Sequence, residues 1–468
     1  MTSKLFFKYF SLVVLVVCEI TLDIVFAIKF GGWVCVWFLF ASVLGIVVLA
    51  HVNFEISKKE LLVPWFVSTT FFPLVSLALF LVFCKKKHSS KKLEKTLFEA
   101  GCLEHGFVYF ARAKYYAWGK DFFEDVKKQI KNAKKYVFFE FYIVENGKLF
   151  DELLEILKQK IRNGVEVFML IDEIGSLCRV PKSFCKDMKK LGIKCQKFDS
   201  FSSTLLHNNR NHKKVVVVDG SVAFVGGVNL ADEYVGEKQK YGIWKDGGVR
   251  VEGEGVSEFV KSFCAMFFVA SHRKMDANKY LSQNKSKFGG RAKNLFLQPS
   301  CVGKNLAVER EIVDLFEMAE REIKIATPYF IPDTTIQTAL NRAANRGVKI
   351  KIFVPGIADK KLVNLVTKSF YEEQVKNGVE IWEFEKGFVH SKNILIDEKT
   401  MVVGTINLDS RSFFRNFECA VEISSSPAVQ KLSADFLDLQ TKSKKIDEKH
   451  LQKPTFWIKL LRLFAPML

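Results

Sequence analysis

This chain of 468 residues has few acidic residues, and its cysteines are widely spaced. Its ten cysteines include no C-x-x-C pair, and the closest set, Cys178, Cys185 and Cys195, fits no common zinc spacing. We therefore expect free thiols in a reducing compartment, and we expect no metal and no cofactor. Only 51 Asp and Glu residues oppose 70 Lys and Arg residues, which leaves a formal charge of +19. That excess indicates a polyanionic partner, either nucleic acid or an anionic membrane surface.

Three apolar runs dominate the first 84 residues. They are FSLVVLVVCEITLDIVFAI (10–28), GGWVCVWFLFASVLGIVVLA (31–50) and LLVPWFVSTTFFPLVSLALFLVFC (61–84). Each approaches the roughly 20 residues that a bilayer-spanning helix needs, so residues 1–88 are predicted to be a membrane anchor. Lys4 and Lys8 favour a cytoplasmic N-terminus and so an even number of crossings, and with Pro73 in the third run this favours two full crossings plus one partial insertion. Glu19 and Asp23 in the first run would need to face another helix or be held protonated. A cleaved signal peptide is the weaker alternative, because no small-residue cleavage site follows the first run.

A basic segment, KKKHSSKKLEK, follows the last apolar run from Lys85 to Lys95. By the positive-inside rule, such a segment indicates the cytoplasmic flank of a membrane segment. The sequence therefore predicts a multi-pass protein of the cell membrane with its catalytic domain on the cytoplasmic side. The same lysines are suited to contact anionic lipid headgroups.

Beyond residue 110, β-rich and helical stretches alternate, which is typical of a layered α/β fold. Predicted strand, helix and strand units lie at 136–144, 150–164 and 165–172, and again at 323–332, 334–345 and 348–355. Because the pattern occurs twice, we expect two similar domains, 110–290 and 291–445, packed about a pseudo-twofold axis. Residues 446–468 form an amphipathic tail, for which an interfacial helix is preferred to an ordinary packing helix.

One polar motif stands in both halves. HKKVVVVDGSVAFVGGVN (212–229) recurs as HSKNILIDEKTMVVGTIN (390–407). The copies share one register, since 390 − 212 and 407 − 229 both equal 178. Residues two apart on a strand point to the same face, so His212 projects with Lys214 and His390 projects with Lys392. Two such strands at a domain interface would place two imidazoles and two ammonium groups around one cavity.

These side chains suit the chemistry of a phosphate diester. The lysines would neutralise the phosphate oxygens, while one imidazole attacks phosphorus and the other protonates the departing oxygen. The roles then exchange, so that an incoming hydroxyl displaces the first histidine. Asp246 and Glu418 are each predicted to orient one histidine through its second ring nitrogen.

Two further pairs of polar residues belong to the repeated motif. Asn229 and Asn407 are placed to donate to phosphate or to brace the loop. Asp219 and Asp397 complete the two catalytic motifs, although their position at strand ends before turns favours a local structural role over contact with substrate.

The doubled pattern H-x-K-x4-D followed by G-[GT]-x-N resembles the signature of the phospholipase D superfamily. Flanking stretches such as TPYFIPD, GFVHSKNILIDE and GTINLDSRSF resemble bacterial cardiolipin synthases. The resemblance implies two phospholipase D-like repeats, each a mixed sheet flanked by helices, after N-terminal transmembrane helices. It also implies that phosphatidylglycerol gives its phosphatidyl group to His212, that glycerol leaves, and that a second phosphatidylglycerol accepts the group. His390 would be the acid and base.

Other functions compete with this one. A membrane-bound phospholipase D that uses water would need the same site, and phosphatidylserine synthesis or phosphatidylethanolamine as donor are further variants. A nucleic-acid phosphodiesterase suits the net charge, but the apolar N-terminus argues against it, so no nucleic acid partner is expected. A non-catalytic membrane scaffold is disfavoured because both motifs are complete. The expected partners are phosphatidylglycerol, anionic membrane lipids and the membrane itself.

Overall fold

The computed structural model describes residues 105–198, 209–282, 289–298, 307–448 and 455–462, with a few isolated positions outside these ranges. Apart from such positions, the three predicted membrane segments and the basic run Lys85–Lys95 lie outside the described residues. Within the part that is described, no helix has the length and apolar character needed to cross a bilayer.

The first half alternates strands and helices in the order that the sequence predicts. Its strands are β1 (His105–Tyr116), β2 (Tyr136–Phe141), β3 (Glu166–Asp172), β4 (Lys194–Phe198), β5 (Arg210–Asn211), β6 (Lys214–Val218), β7 (Val222–Gly226), β8 (Ile243–Lys245) and β9 (Gly248–Gly253). Its helices are α1 (Gly119–Asn132), α2 (Lys148–Arg162), α3 (Phe184–Lys190) and α4 (Val256–Ser271), with short 3-10 turns at Asp232–Val235 and Ala277–Tyr280.

The second half repeats this succession. Its strands are β10 (Gly290–Leu297), β11 (Glu322–Ala326), β12 (Phe330–Ile331), β13 (Lys349–Pro355), β14 (Glu380–Phe384), β15 (Gly387–Val389), β16 (Asn393–Ile396), β17 (Thr400–Gly404), β18 (Leu408–Asp409), β19 (Asn416–Ser424) and β20 (Ser443–Lys445). Its helices are α5 (Ala307–Met318), α6 (Thr334–Asn345), α7 (Lys361–Lys368), α8 (Tyr371–Lys376), α9 (Ser410–Arg415) and α10 (Pro427–Thr441), and the tail contains α11 (Phe456–Arg462).

A single mixed sheet runs through both halves. Its order is β20-β14-β13-β11-β16-β17-β19-β10-β1-β9-β7-β6-β2-β3-β4. The two halves meet where β1 pairs antiparallel with β10, and the order of strands outward from that pair is equivalent on both sides. An antiparallel pair of equivalent strands is what a pseudo-twofold axis between two repeats produces. The fold is therefore mixed α/β with two repeats joined edge to edge.

Side chains of the central strands alternate between the two faces of this sheet, and both faces are buried. In β2, Tyr136 and Phe138 point into a core shared by both halves, whereas Val137, Phe139 and Phe141 point to the opposite side. Helices α4 and α10 cover the shared core. On the opposite face, α1 and α2 cover the first half, and α5 and α6 cover the second. Because every central strand is enclosed between helical layers, its polar motif residues lie at the ends of rigid elements.

Local sequence explains where the helices begin. Helix α6 begins after Asp333, whose carboxylate accepts a hydrogen bond from the N–H of Ile336 at 2.9 Å and so caps the first turn. Helix α2 turns Leu149, Leu153 and Leu157 toward the core at a spacing of four residues. The helix predicted at 334–345 coincides with α6, and the one predicted at 150–164 begins and ends two residues earlier, at Lys148 and Arg162.

Two short strands cross from one half to the other and prepare the site. Strand β5, just before His212, pairs in parallel with the start of β19 in the second half. Strand β15, just before His390, pairs in parallel with β8 in the first half. Each motif histidine therefore lies next to the opposite repeat.

The C-terminal helix α11 packs against the second half through Leu461 and Arg462. Arg462 lies 3.9 Å over the ring of Phe370 and forms an ion pair with Glu373 at 2.9 Å. Phe456 and Trp457 at its other end are each 72% exposed. This helix thus combines a packing contact with an exposed aromatic end.

Candidate active site

His212 stands at the entry of β6 and is fixed by the opposite half. Its backbone N–H donates to the carbonyl of Phe417 at 2.9 Å, which extends the pairing of β5 with β19. Its Nδ1 lies 2.8 and 2.9 Å from the two carboxylate oxygens of Glu418. The ring is thereby oriented with Nε2 as the nitrogen left for chemistry.

Glu418 is itself fully buried and held by neighbours. Thr405 Oγ1 donates to its Oε2 at 2.5 Å, and Asn416 Nδ2 donates to its Oε1 at 3.1 Å. Burial raises the pKa of Glu418, but the interactions with His212, Lys214 and Thr405 outweigh burial and lower it overall. The carboxylate is therefore ionised and can accept the Nδ1 proton of His212.

His390 has the equivalent arrangement with the halves exchanged. Its Nδ1 lies 2.5 Å from Oδ2 of Asp246, a fully buried residue of the first half. Asp246 Oδ1 accepts from the N–H of Gly247 at 2.8 Å, and burial raises the pKa of Asp246 to about 6 against the opposing charge of Lys392. The sequence predicts one carboxylate for each histidine, and the structure places each carboxylate in the half opposite to its histidine.

The two motif lysines are buried beside the histidines. Lys214 Nζ donates to the carbonyl of His212 at 2.5 Å. Lys392 Nζ donates to the carbonyl of His390 and lies 2.9 and 3.1 Å from the two ring nitrogens. Burial lowers the pKa of Lys214 to about 7 and that of Lys392 to about 8. A bound anion would favour the charged form of both lysines and so raise their pKa again.

Both imidazoles are neutral near pH 7. Burial lowers the pKa of His212 to about 4, although the charge of Glu418 opposes this shift. Burial, with the positive charges of Lys392 and Lys214, lowers the pKa of His390 well below its usual value. The charge of Lys392 also acts on His212, so the two motifs share one electrostatic environment. A neutral imidazole with a free nitrogen is the form that attacks phosphorus.

Asp219 and Asp397 do not reach this centre but hold the strands that support it. The Asp219 carboxylate accepts from the backbone N–H groups of Lys134, Lys135 and Tyr136 at 2.7 to 2.9 Å. Asp397 accepts in the same way from three successive N–H groups, at residues 320 to 322. Both aspartates have a φ of +51°, at the turn that ends the strand. Although both aspartates complete the predicted catalytic motifs, the contacts of their carboxylates are to the backbone.

Asn229 and Asn407 occupy different surroundings. Asn229 accepts from the N–H of Ile143 at 3.1 Å and donates to the hydroxyl of Tyr234 at 2.6 Å, so it braces the loop. The backbone N–H of Asn407 donates to Ser412 Oγ at 3.3 Å. Its side-chain Oδ1 is buried and has no hydrogen-bond partner among the described residues.

Sequence reasoning missed the aromatic residues around His390, which together with Tyr142 form an aromatic wall at the two histidines. Tyr142 makes an edge contact with His212, with ring centres 4.8 Å apart. Around His390, the ring centres of Tyr234, Trp244 and Phe388 lie 5.3, 5.4 and 5.9 Å away. The available signals were the positions of Trp244, two residues before Asp246, and of Tyr142 at the end of a strand.

Two neutral imidazoles, each on a buried carboxylate, and two buried lysines define a histidine-based phosphodiester-transfer enzyme. Comparison with known families gives the same class. Residues 126–250 and 312–440 match the sequence model of the family described as "Cardiolipin synthase, PLD-like domain". The chain belongs to this family of the phospholipase D superfamily.

Two relatives illustrate the similarity over most of the chain. An uncharacterized protein of Streptococcus mutans is 36% identical over 372 residues, which are 78% of this chain and 80% of that protein. Cardiolipin synthase 2 of Bacillus cereus is 34% identical over 358 residues, 75% of this chain and 69% of that enzyme.

Among solved structures, the phosphatidylserine synthase of Haemophilus influenzae Rd KW20 superposes with a TM-score of 0.59. It covers 81% of this chain and 98% of that one at 16% identity, which shows a shared fold.

Proposed function

We propose that this chain is a cardiolipin synthase that transfers a phosphatidyl group between two phosphatidylglycerol molecules and releases glycerol. The observation that carries the proposal is the pair of crossed contacts, His212 with Glu418 and His390 with Asp246, beside two buried lysines. Relatives named cardiolipin synthase, at 31 to 34% identity over 75% of this chain, support the choice of substrate.

In the first half-reaction, Nε2 of His212 attacks the phosphorus of the donor lipid. A P–N bond forms, the P–O bond to glycerol breaks, and His390 gives a proton to the departing oxygen. Lys214 and Lys392 neutralise the charge that gathers on the phosphate oxygens. Glu418 stabilises the positive imidazole that forms on His212.

Binding of the substrate prepares His390 for this role. In the free site, the charges of Lys392 and Lys214 contribute to the low pKa of His390. An anionic phosphodiester between the lysines compensates those charges and so raises the pKa of His390. Asp246 on Nδ1 stabilises the protonated ring, which then carries its transferable proton on Nε2.

In the second half-reaction, a hydroxyl of another phosphatidylglycerol replaces glycerol. His390, now neutral, takes the proton of that hydroxyl, the new P–O bond forms and the P–N bond to His212 breaks. The products are cardiolipin and the free enzyme. If water reached the intermediate instead, the product would be phosphatidic acid, which is the runner-up activity of a phospholipase D.

We also propose that the enzyme works at the cell membrane as a multi-pass protein with its catalytic domain on the cytoplasmic side. The apolar runs within residues 1–88 and the basic run Lys85–Lys95 support this location. The exposed Phe456 and Trp457 of α11, with Lys459 nearby, suit the headgroup boundary of a bilayer.

The decisive experiment follows labelled phosphatidylglycerol with purified full-length protein in detergent. Wild type is expected to form cardiolipin and free glycerol in equal amounts, and His212→Ala is expected to form neither. Phosphatidic acid in place of cardiolipin would replace the transferase by the hydrolase. An absence of lipid turnover by wild type would refute both.

A further inference from the structure

A buried ion pair links the two halves directly behind His390. Lys245, which is 2% exposed, donates to the two carboxylate oxygens of Asp435 at 2.7 and 2.9 Å. Its Nζ also donates to the carbonyl of Ala117 at 2.6 Å and lies 4.4 Å over the ring of Trp118. Lys245 belongs to β8 of the first half and Asp435 to α10 of the second, so the pair spans the interface.

The backbone of Lys245 is what holds His390. Its carbonyl accepts hydrogen bonds from the N–H groups of His390 at 2.8 Å and of Ser391 at 3.3 Å. The next residue is Asp246, which binds the ring of His390. Lys245 therefore fixes the backbone of His390 and, as the neighbour of Asp246 in the chain, also the position from which the Asp246 carboxylate reaches the ring.

Asp435 also reaches the other end of the motif. The hydroxyl of Tyr115 donates to Asp435 Oδ2 at 2.8 Å and accepts from Nδ2 of Asn393 at 3.0 Å. Asn393 directly follows Lys392. The tripeptide from His390 to Lys392 is thus held at its start by Lys245 and just after its end by Tyr115. Both of these residues donate hydrogen bonds to Asp435.

The first motif has a different support. The N–H of Asn211, just before His212, donates to Asp172 at 3.0 Å, and Lys213 Nζ donates to Ser262 Oγ at 2.7 Å. The backbone N–H of His212 itself donates to the carbonyl of Phe417 in the second half, and Phe417 has no charged side chain that could form an equivalent ion pair. Asp435 and Lys245 therefore serve the second motif and not the first.

We propose that Lys245 and Asp435 are positioning residues that hold His390 for proton transfer. Neither approaches the reacting atoms through its own side chain; both act through the backbone and the carboxylate that place the imidazole. The inference rests on the proposed function, in which His390 is the acid and base. It predicts that damage to the pair impairs steps that need a proton and spares the attack by His212.

Leaving-group dependence separates this role from general structural support. The donor is offered in two forms, as phosphatidylglycerol and as the phosphatidyl ester of 4-nitrophenol, whose phenolate departs without a proton. For Asp435→Asn and Lys245→Met, kcat with phosphatidylglycerol is expected to fall about 10- to 100-fold, as for other residues that orient an active-site group. The single-turnover burst of nitrophenolate is expected to fall less than about threefold.

Two further variants keep the test independent of folding. Tyr115→Phe removes only the hydroxyl that joins Asp435 to Asn393, so it leaves the ion pair intact and is expected to give a smaller loss of the same selective kind. Asp438→Asn is the matched control on the same helix, because Asp438 pairs with Lys442 at the surface, and it is expected to leave both rates unchanged. His390→Ala sets the upper limit of the selective effect.

Each result decides between defined alternatives. A selective loss of kcat with unchanged KM, measured well below the thermal midpoint of each variant, supports the positioning role. Equal losses for both leaving groups, or a loss that parallels the drop in thermal midpoint, would overturn it. Failure of wild type to release either leaving group would refute the proposed function rather than the positioning role.

Discussion

Glu418 accepts a hydrogen bond from His212 at 2.8 Å although 206 positions of sequence separate the two residues. His390 and Asp246, 144 positions apart, form the equivalent contact in the opposite sense. Each repeat thus supplies one histidine and the carboxylate that orients the histidine of the other. Neither repeat alone contains a complete acid, base or nucleophile, so the site exists only in the joined structure.

Glu418→Gln tests the first of these contacts. The amide keeps the shape of the side chain but removes the charge that stabilises the imidazolium formed on His212, so kcat is expected to fall about 100-fold or more with KM little changed. Steady-state kinetics with phosphatidylglycerol measure this. Glu422→Gln on the same strand, which makes no contact with His212, is the control. Retention of wild-type kcat by Glu418→Gln would contradict the role.

The pH dependence of kcat/KM should report the buried lysines. The pKa of Lys214 is about 7 and that of Lys392 about 8, so the free enzyme loses its positive charges as the pH rises through this range. The charged forms bind the phosphate, and kcat/KM is therefore expected to fall on the alkaline side from about pH 7. The expected profile is measured between pH 5 and 9.5.

A bound phosphodiester raises the pKa of both lysines, so the alkaline limb of kcat should lie at higher pH than that of kcat/KM. Arginine in Lys214→Arg keeps its charge over this whole pH range, so the alkaline limb of kcat/KM is expected to move to higher pH. A kcat/KM that stays flat to pH 9.5 would show that the lysines keep their charge in the free site.

Lys214→Met should stabilise the protein while abolishing its activity. The folded-state pKa of Lys214, about 7, is below the ordinary lysine value of 10.5, so burial opposes folding most strongly below pH 7 and less as the pH rises toward 10.5. At pH 6 the variant is expected to gain about 1–4 kcal/mol, because the lowered pKa of Lys214 means that its charged form is disfavoured in the folded state. Thermal midpoints in detergent at pH 6 and pH 9.5 measure the effect, which should be smaller at the higher pH.

Asp397→Asn should affect stability rather than catalysis. The carboxylate accepts three backbone N–H groups through its two oxygens, and asparagine tolerates the φ of +51° there, so the change removes the charge and one acceptor oxygen without straining the backbone. We expect a loss of about 1–3 kcal/mol with kcat of the folded enzyme kept within about threefold. Thermal midpoint and kcat are measured on the same preparation; a large loss of kcat without a loss of stability would place Asp397 in catalysis.

The sign of its pH dependence gives a second check. Burial raises the pKa of Asp397, but the three N–H groups outweigh burial and lower it below the usual value. Its stabilising effect is therefore complete above the unfolded-state pKa near 3.8 and disappears as the pH falls through the folded-state value. The difference in stability between wild type and Asp397→Asn should shrink on acidification below pH 4.

Much of this fold could be predicted from the sequence because its signals are periodic. The helix at 334–345 follows from a capping aspartate and amphipathic spacing, and the shared face of His212 and Lys214 follows from the two-residue period of a strand. The repeat at a fixed shift of 178 residues predicted two equivalent halves. In the sheet, the order of strands outward from the β1–β10 pair is equivalent on both sides.

The crossed pairing of histidines and carboxylates could not be predicted in this way. It depends on β5 with β19 and on β8 with β15, strands of which three have only two or three residues, too few to carry a pattern. The aromatic wall is equally hidden, because a lone tryptophan before Asp246 has no periodicity that distinguishes a site from a core. Long-range contacts of this kind are fixed by packing and not by local sequence.

Trp244 offers a test of how the site chooses a lipid hydroxyl over water. Its ring lies 5.4 Å from that of His390 and 4.7 Å from that of Phe388. Trp244→Ala opens space for water next to His390, so the share of phosphatidic acid among the products is expected to rise at the expense of cardiolipin. Trp244→Phe, which keeps an aromatic ring, should give an intermediate ratio, and Trp382→Phe on the far strand β14 should keep the wild-type ratio. The ratio is measured with labelled phosphatidylglycerol. If Trp244→Ala lowered the rate without changing that ratio, the wall would serve to position His390 and not to exclude water, and selectivity would have to reside elsewhere in the acceptor site.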